Sequence, residues 1–94
     1  MVEFEWDAGK AASNLSKHGI GFAEAMTVFG DPLEVVIADP VHSDTEWRFL
    51  SIGLSEAGRL VVVAYTERDE RIRIISAPEA TPQERRQYES KGES

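Results

Sequence analysis

Ninety-four residues with a net charge of −7, from 10 Lys and Arg against 17 Asp and Glu, allow one hydrophobic core and not two. The 41% hydrophobic and 29% charged shares argue against disorder, and the lack of cysteine excludes disulfides and thiolate metal sites, in keeping with a reducing cytoplasm. The longest apolar run, about six residues around Leu60–Tyr65, is too short to span a membrane, and Met1-Val2-Glu3-Phe4-Glu5-Trp6 lacks the basic and apolar regions of a secretory signal.

Phe4-Glu5-Trp6 alternates and reads as a short edge strand. Asp7 stands where a helix N-cap belongs. Ala8 to His18 follows with Ala8, Ala11, Leu15 and His18 at helical spacing, and Gly19 is the stop. Lys10, Asn14 and Lys17 then fall on the flank of this helix, so it has a basic edge. A solvated face and a ligand-facing edge both account for those lysines. A second helix runs from Phe22 to Phe29, with Phe22, Ala25, Met26 and Phe29 as cover for a sheet, and Gly30-Asp31-Pro32 ends it. Leu33 to Asp39 reads as a strand closed by Pro40, and Glu46 to Ser55 as the next, turning at Glu56-Ala57-Gly58.

Two β-branched runs, Arg59 to Glu67 and Arg71 to Ala77, form the central hairpin. With Asp69-Glu70 as the turn, Arg68 faces Arg71, Thr66 faces Arg73, Tyr65 faces Ile74 and Ala64 faces Ile75. Val61, Val63, Tyr65, Ile72 and Ile74 then share a core face, and Thr66, Arg68, Arg71 and Arg73 make a cationic strip on the other. Placing Leu54 opposite Arg59 pairs Ile52 with Val61 and Arg48 with Tyr65, and sets Trp47, Thr66 and Arg73 in one row. Thr81-Pro82-Gln83-Glu84 is a capping box that opens a last helix anchored by Tyr88, and the polar tail from Glu89 to Ser94 is expected to be mobile. The order β-α-α-β-β-β-β-α describes a single α+β domain over residues 1–94. In it, two N-terminal helices pack on a four- to five-stranded antiparallel sheet, with a C-terminal helix.

Neither His18 nor His42 has a second ligand at zinc spacing, so no metal site is expected. His42-Ser43 with Asp39 or Asp44 reads as turn chemistry, because adjacent side chains on an extended segment point apart. Gly19-Ile20-Gly21 is the break between two helices and not a phosphate loop. What remains is cationic: Arg48, Arg68, Arg71, Arg73, Lys10, Lys17, His18, Arg85 and Arg86. Guanidinium forks suit phosphate oxygens, and fixed positive charge is what metal-free phosphodiester cleavage needs at its oxyanion. His18, a lysine, Glu46, Glu84 and Tyr88 are candidates for proton transfer. The plainer reading pairs the arginines with Glu67, Asp69, Glu70 and Glu46 as a solvated mesh. A net charge of −7 equally suits a basic protein partner.

Phe4-Glu5-Trp6-Asp7, Lys10, Asn14, Lys17-His18-Gly19, Val28-Phe29, Asp31-Pro32, His42-Ser43, Glu46, Arg48, Gly58-Arg59-Leu60, Thr66, Arg68 and Arg73-Ile74-Ile75-Ser76-Ala77 occur in that order. In these residues the chain resembles the BrnT family of type II toxin–antitoxin toxins. The resemblance implies a RelE-like fold, metal-independent endoribonuclease activity that blocks translation, and no cofactor. It also implies neutralisation by a ribbon-helix-helix antitoxin of the BrnA type, with DNA bound only through that antitoxin. On it, Arg68 and Arg73 are expected to hold the scissile phosphate and His18 to transfer a proton. Lys10, Lys17, Arg48 and Arg85 are expected to guide RNA, with Trp47 stacking a base. His18 is equally suited to its helix C-terminus by the dipole. Where the family continues Ile-Ile-Ser-Ala with a basic residue, this chain has Pro78-Glu79. That difference and the acidity keep open a second reading, an antitoxin-binding module of a repressor complex with little catalysis, and a third, a structural domain independent of any antitoxin.

Overall fold

A computed structural model describes residues 2–39 and 46–93. Strand β1 (Glu3–Trp6) leads into helices α1 (Ala8–His18) and α2 (Phe22–Met26), the latter continued by a 3₁₀ turn, Thr27–Gly30. Strands β2 (Val35–Ala38), β3 (Arg48–Leu54), β4 (Leu60–Arg68) and β5 (Arg71–Ser76) follow, then helix α3 (Pro82–Glu93). Residues 89–93, expected as a tail, belong to that helix. The readings made for His42, Ser43 and Asp44 lie outside the described residues.

The five strands form one sheet in the order β1-β5-β4-β3-β2. It is mixed and not wholly antiparallel, because β1 lies parallel to β5. Glu3 faces Arg71, Phe4 faces Ile72, Glu5 faces Arg73 and Trp6 faces Ile74. Apolar residues thus meet on one face and opposite charges on the other, which fixes both the direction and the register of the edge strand.

The β4–β5 hairpin turns at Asp69-Glu70, both with positive φ (51° and 67°), and pairs Arg68 with Arg71, Thr66 with Arg73 and Tyr65 with Ile74 as expected. Beyond Tyr65 the register shifts. Ala64 faces Ser76 and not Ile75, so Ile75 is the extra residue of a bulge. The pairing continues past β5, where Val62 N–H donates to the Pro78 carbonyl at 2.9 Å and Ala80 N–H to the Leu60 carbonyl at 2.9 Å. Pro78 serves here through its carbonyl, so its missing N–H costs nothing.

The β3–β4 register is one residue from the expected one. Gly58, at φ 80°, closes a tighter turn in which Ser55 N–H donates to the Arg59 carbonyl at 2.8 Å. Leu54 therefore faces Leu60, Ile52 faces Val62, Phe49 faces Tyr65 and Arg48 faces Thr66. One step exchanges the faces of the whole strand. Gly53 falls against the 3₁₀ turn, where a Cβ would lie 3.0 Å from Val28 Cγ1, and Ile52 moves to the opposite side.

Both faces of the sheet carry a core as a result. One gathers Ile20, Phe22, Ala25, Val28, Val61, Val63, Ile74 and Ala77 beneath α1 and α2. The other gathers Ile52, Leu60 and Val62 with Val35, Leu50, Ala80 and Tyr88 beneath α3. The capping box opens α3 through Thr81 N–H to Glu84 (2.8 Å) and Glu84 N–H to Thr81 Oγ1 (3.2 Å), and Tyr88 fixes it by donating to Asp31 Oδ2 at 2.6 Å. Among the described residues, no helix is long and apolar enough to cross a membrane.

Helix α1 packs on a face rotated from the one expected, and of that stripe it is Ala11 that meets the core. Leu15 is 55% exposed, Ala8 and His18 are exposed, and Asn14, placed on the basic flank by spacing, is 5% exposed. Its side-chain N–H groups reach the carbonyls of Ile20 (2.8 Å) and Ala77 (3.0 Å), and its Oδ1 accepts the Ala77 N–H (2.9 Å). A polar residue is buried because three interior backbone groups need it.

Candidate nucleic-acid interface

Two cationic groups emerge. The first lies where α1 meets the bulged end of β5. Asp7 caps the helix by accepting the Lys10 N–H at 2.9 Å, and Gly19, at φ 70°, stops it. Lys10, Ser13, Lys17 and His18 project from successive turns and line a cavity of about 160 Å³ with Asn14, Ile75 and Ser76. No carboxylate lines it, and among the described residues Lys10, Lys17 and His18 form no ion pair. Lys17 and His18 also sit in the last turn, where the helix dipole favours positive charge, so the helix gains from them whether or not a ligand binds.

The second group is the strip across β3, β4, β5 and β1. Its inner row reads Arg48, Thr66, Arg73, Glu5, and its outer row brings together Arg68, Arg71 and Glu3, with Glu46 against Arg68. Arg48, not Trp47, stands beside Thr66, which corrects the aromatic row expected from the sequence. Trp47 lies just before β3 and is 66% exposed.

The strip's arginines are occupied. Arg68 makes a two-pronged contact with Glu46, its Nε donating at 2.9 Å. Arg73 donates to Glu5 at 2.9 Å, and Arg71 lies 3.2 Å from Glu3 and 3.5 Å from Glu5. The Arg73 hydrogen bond, set against partial burial, holds the Glu5 carboxyl below the usual carboxylate range, and the Arg68 hydrogen bond does the same for Glu46. Glu46 in turn raises Arg68. Both acids are charged at neutral pH, and solvent screens the pairs, so they shape the surface more than they stabilise the fold. Thr66 Oγ1, between Arg73 and Arg48, is buried without a hydrogen-bond partner among the described residues.

The two groups do not merge. Arg68 lines a cavity at the β4–β5 turn that shares no residue with the one lined by His18. Arg73 is the link between them, two residues before Ile75 on β5, or about 6.6 Å along a strand. Arg85, exposed on α3, lines neither cavity. Ser13, Ser76 and Glu5, outside the residues expected from the sequence at the site, each touch or line one of these groups.

Arg59 behaves differently. It donates to Glu24 through Nε at 3.0 Å and through Nη2, and to the Gly19 carbonyl at 2.9 Å. This binds the end of α1, α2 and the β3–β4 turn into one body.

A family model described as the ribonuclease toxin BrnT of type II toxin–antitoxin systems matches residues 6–84. Among solved structures, the chain is similar to the Brucella abortus ribonuclease toxin BrnT, whose crystal structure was determined at 1.1 Å. The two are 20% identical, with 86% of this chain and 99% of that one aligned at a TM-score of 0.63, which establishes a shared fold. No curated protein matches the chain.

Proposed function

Because the chain belongs to the BrnT family of ribonuclease toxins of type II toxin–antitoxin systems, we propose that it cleaves RNA in the cytoplasm, without a metal ion, at the cavity between α1 and β5. One observation carries this assignment: Lys10, Lys17 and His18 surround that cavity with two serines and no carboxylate. In an acidic chain, that is where a phosphate meets uncompensated positive charge.

In the proposed reaction the ribose 2′-oxygen attacks phosphorus and the bond from phosphorus to the 5′-oxygen breaks. The 2′-hydroxyl proton passes to a base, and a proton is delivered to the leaving 5′-oxygen. The products are a 2′,3′-cyclic phosphate and a 5′-hydroxyl. Lys10 and Lys17 stabilise the oxyanion and His18 carries one of the two protons. Arg73 receives the neighbouring phosphate after giving up Glu5. Arg68 and Arg48 continue the track across the sheet, with Trp47 available for stacking and Arg85 for more distant contacts.

The test is cleavage of a single-stranded RNA by the purified protein in excess EDTA. Lys10→Ala with Lys17→Ala, and separately His18→Ala, should each lower the rate at least a hundredfold. A rate within threefold of wild type in both variants removes the cavity from the mechanism. We further infer that a BrnA-type ribbon-helix-helix antitoxin neutralises the chain and brings it to promoter DNA. The occupied arginines favour the second reading, an antitoxin-binding module. Growth unaffected by expression, with the antitoxin still bound tightly, would select that reading.

A further inference from the structure

A second surface, away from the α1 cavity, lies between the β1–β5 edge and the 3₁₀ turn. Phe4, Met26, Phe29 and Ile72 form the floor of an open groove of about 670 Å³, and Val2, 56% exposed, stands at its side. The floor is backed by a row of rings. Phe4 and Phe29 lie 5.3 Å apart, and Phe29 and Tyr65 meet edge to face at 5.0 Å. Such a row holds its shape without a ligand. The groove adjoins the cavity at the β4–β5 turn through the two residues they share, Val2 and Ile72.

The rim of this joined surface is acidic. Glu34, Glu67, Asp69 and Glu70 line it. Its two arginines, Arg68 and Arg71, are turned to carboxylates outside it, Glu46, Glu3 and Glu5. The Tyr65 hydroxyl registers the field: burial first, then Glu67 and Glu34, push it up to about 12. RNA is repelled by such a rim, and a two-fold contact between copies would set acid against acid. An apolar floor inside an acidic border matches a basic peptide segment that inserts apolar side chains.

We propose that this groove, between the β1–β5 edge and the 3₁₀ turn, is where the antitoxin docks, through a basic segment whose apolar side chains fill the floor. The inference rests on the type II pairing argued above and adds the place and chemistry of the contact. It also accounts for neutralisation at a distance from the α1 cavity. A chain seated here covers the β4–β5 turn and one flank of the arginine strip, which bars RNA from that end of its track.

The experiment titrates a ribbon-helix-helix antitoxin of the BrnA type into the purified protein by calorimetry at two salt concentrations. Two variants are compared with wild type: Val2→Glu, and Glu67→Lys with Glu70→Lys. Both sites are exposed, and unchanged melting temperatures establish that the variants fold. Val2→Glu should weaken binding at least tenfold. The double reversal should weaken it at low salt and flatten its salt dependence. RNA cleavage by Val2→Glu should match wild type, whereas Lys10→Ala with Lys17→Ala should lose cleavage and keep antitoxin affinity. Antitoxin binding within twofold of wild type in both groove variants overturns the inference. So does wild type that fails to bind, or a groove variant that splits a homodimer while antitoxin affinity stays unchanged. If wild type cuts no RNA but the groove variants still lose the antitoxin, the docking site stands and the ribonuclease reading falls.

Discussion

Asn14 should be the most sensitive polar residue in the protein. It is 5% exposed and satisfies three backbone groups, the carbonyls of Ile20 and Ala77 and the N–H of Ala77. Asn14→Ala removes three hydrogen bonds at roughly 1 kcal/mol each and strands three groups in the interior, so the expected loss is about 3–4 kcal/mol. At about 0.2 kcal/mol per degree for a domain of this size, the melting temperature should fall by roughly 15–20 °C. Asn14→Asp is the sharper variant. It still accepts from Ala77 N–H, but both donors vanish and a carboxylate faces two carbonyl oxygens. Its folded-state pKa is therefore raised, so the variant should be most stable at low pH and lose stability as pH rises through that value. Urea unfolding followed by tryptophan fluorescence at pH 4.5 and 7 measures both effects. Losses below 1 kcal/mol in both variants, without a pH trend in Asn14→Asp, would refute the buried clamp. Because Asn14 joins α1 to the end of β5, Asn14→Ala should also lose RNA cleavage at temperatures where it is still folded.

Gly53→Ala brings a Cβ within 3.0 Å of Val28 Cγ1 and 3.2 Å of Asp31 Oδ2, and should cost about 1–3 kcal/mol in urea unfolding. Tyr65 and Tyr88, the only two tyrosines, are each pushed up to about 12, by burial first in both cases, with Asp31 then acting on Tyr88. Absorbance at 295 nm should therefore stay flat through about pH 10 while the chain is folded. Stability should fall as pH rises from there towards 12, since the unfolded phenols ionise first. The Glu24 carboxyl is lowered chiefly by the Arg59 hydrogen bond, with Ser55 assisting against burial. Burial opposes the charge of Asp31, but bonds from Leu54 N–H, Tyr88 and Leu33 N–H together bring it below the usual range. Both contributions are complete above about pH 4.3 and are lost as pH falls through the lower folded values, so Glu24→Gln should flatten the acid limb of an unfolding profile. Glu5→Gln releases Arg73 from its carboxylate. It should tighten RNA binding and steepen its salt dependence with no change in melting temperature, and unchanged RNA affinity would count against Arg73 as a phosphate contact.

The residues that chose the hairpin and those that misled about its neighbours differ in one physical respect. Between Tyr65 and Arg71 the chain has a two-residue turn with like periodicity on both sides, so only one register sets Tyr65, Ile72 and Ile74 on the same face of the sheet. Between Ser55 and Arg59 the spacing admits two turns, and both place apolar residues on both faces, because this sheet has a core on each side. Hydrophobic pattern cannot choose between them; the left-handed Gly58 can. The bulge at Ile75 and the burial of Asn14 left no periodic trace, since each depends on contacts distant in sequence. Asn14 sits among alanines and lysines, and its need is created by Ala77 at the far end of the chain.

The candidate site's cationic residues were legible in the sequence, and their grouping was not. Lys10 and Lys17 share a cavity as their helical spacing suggests, and His18, placed by spacing on the apolar stripe, joins them, whereas Arg68 does not. The missing clue was a pattern between distant segments. Glu3-Phe4-Glu5 and Arg71-Ile72-Arg73 alternate in step, acid against base and ring against aliphatic, and only strands lying side by side can exploit that match. Read as a pair, they give the parallel edge and the ionic occupation of Arg71 and Arg73 at once. They also explain how a chain of net charge −7 can carry an arginine strip: carboxylates on the neighbouring edge cancel much of it, whereas among the described residues no carboxylate lines the α1 cavity beside Lys10 and Lys17. Under the proposed function, polynucleotide binding becomes an exchange, in which each phosphate that reaches Arg73 must displace Glu5. That exchange makes affinity depend on the β1 carboxylates, residues that touch no RNA.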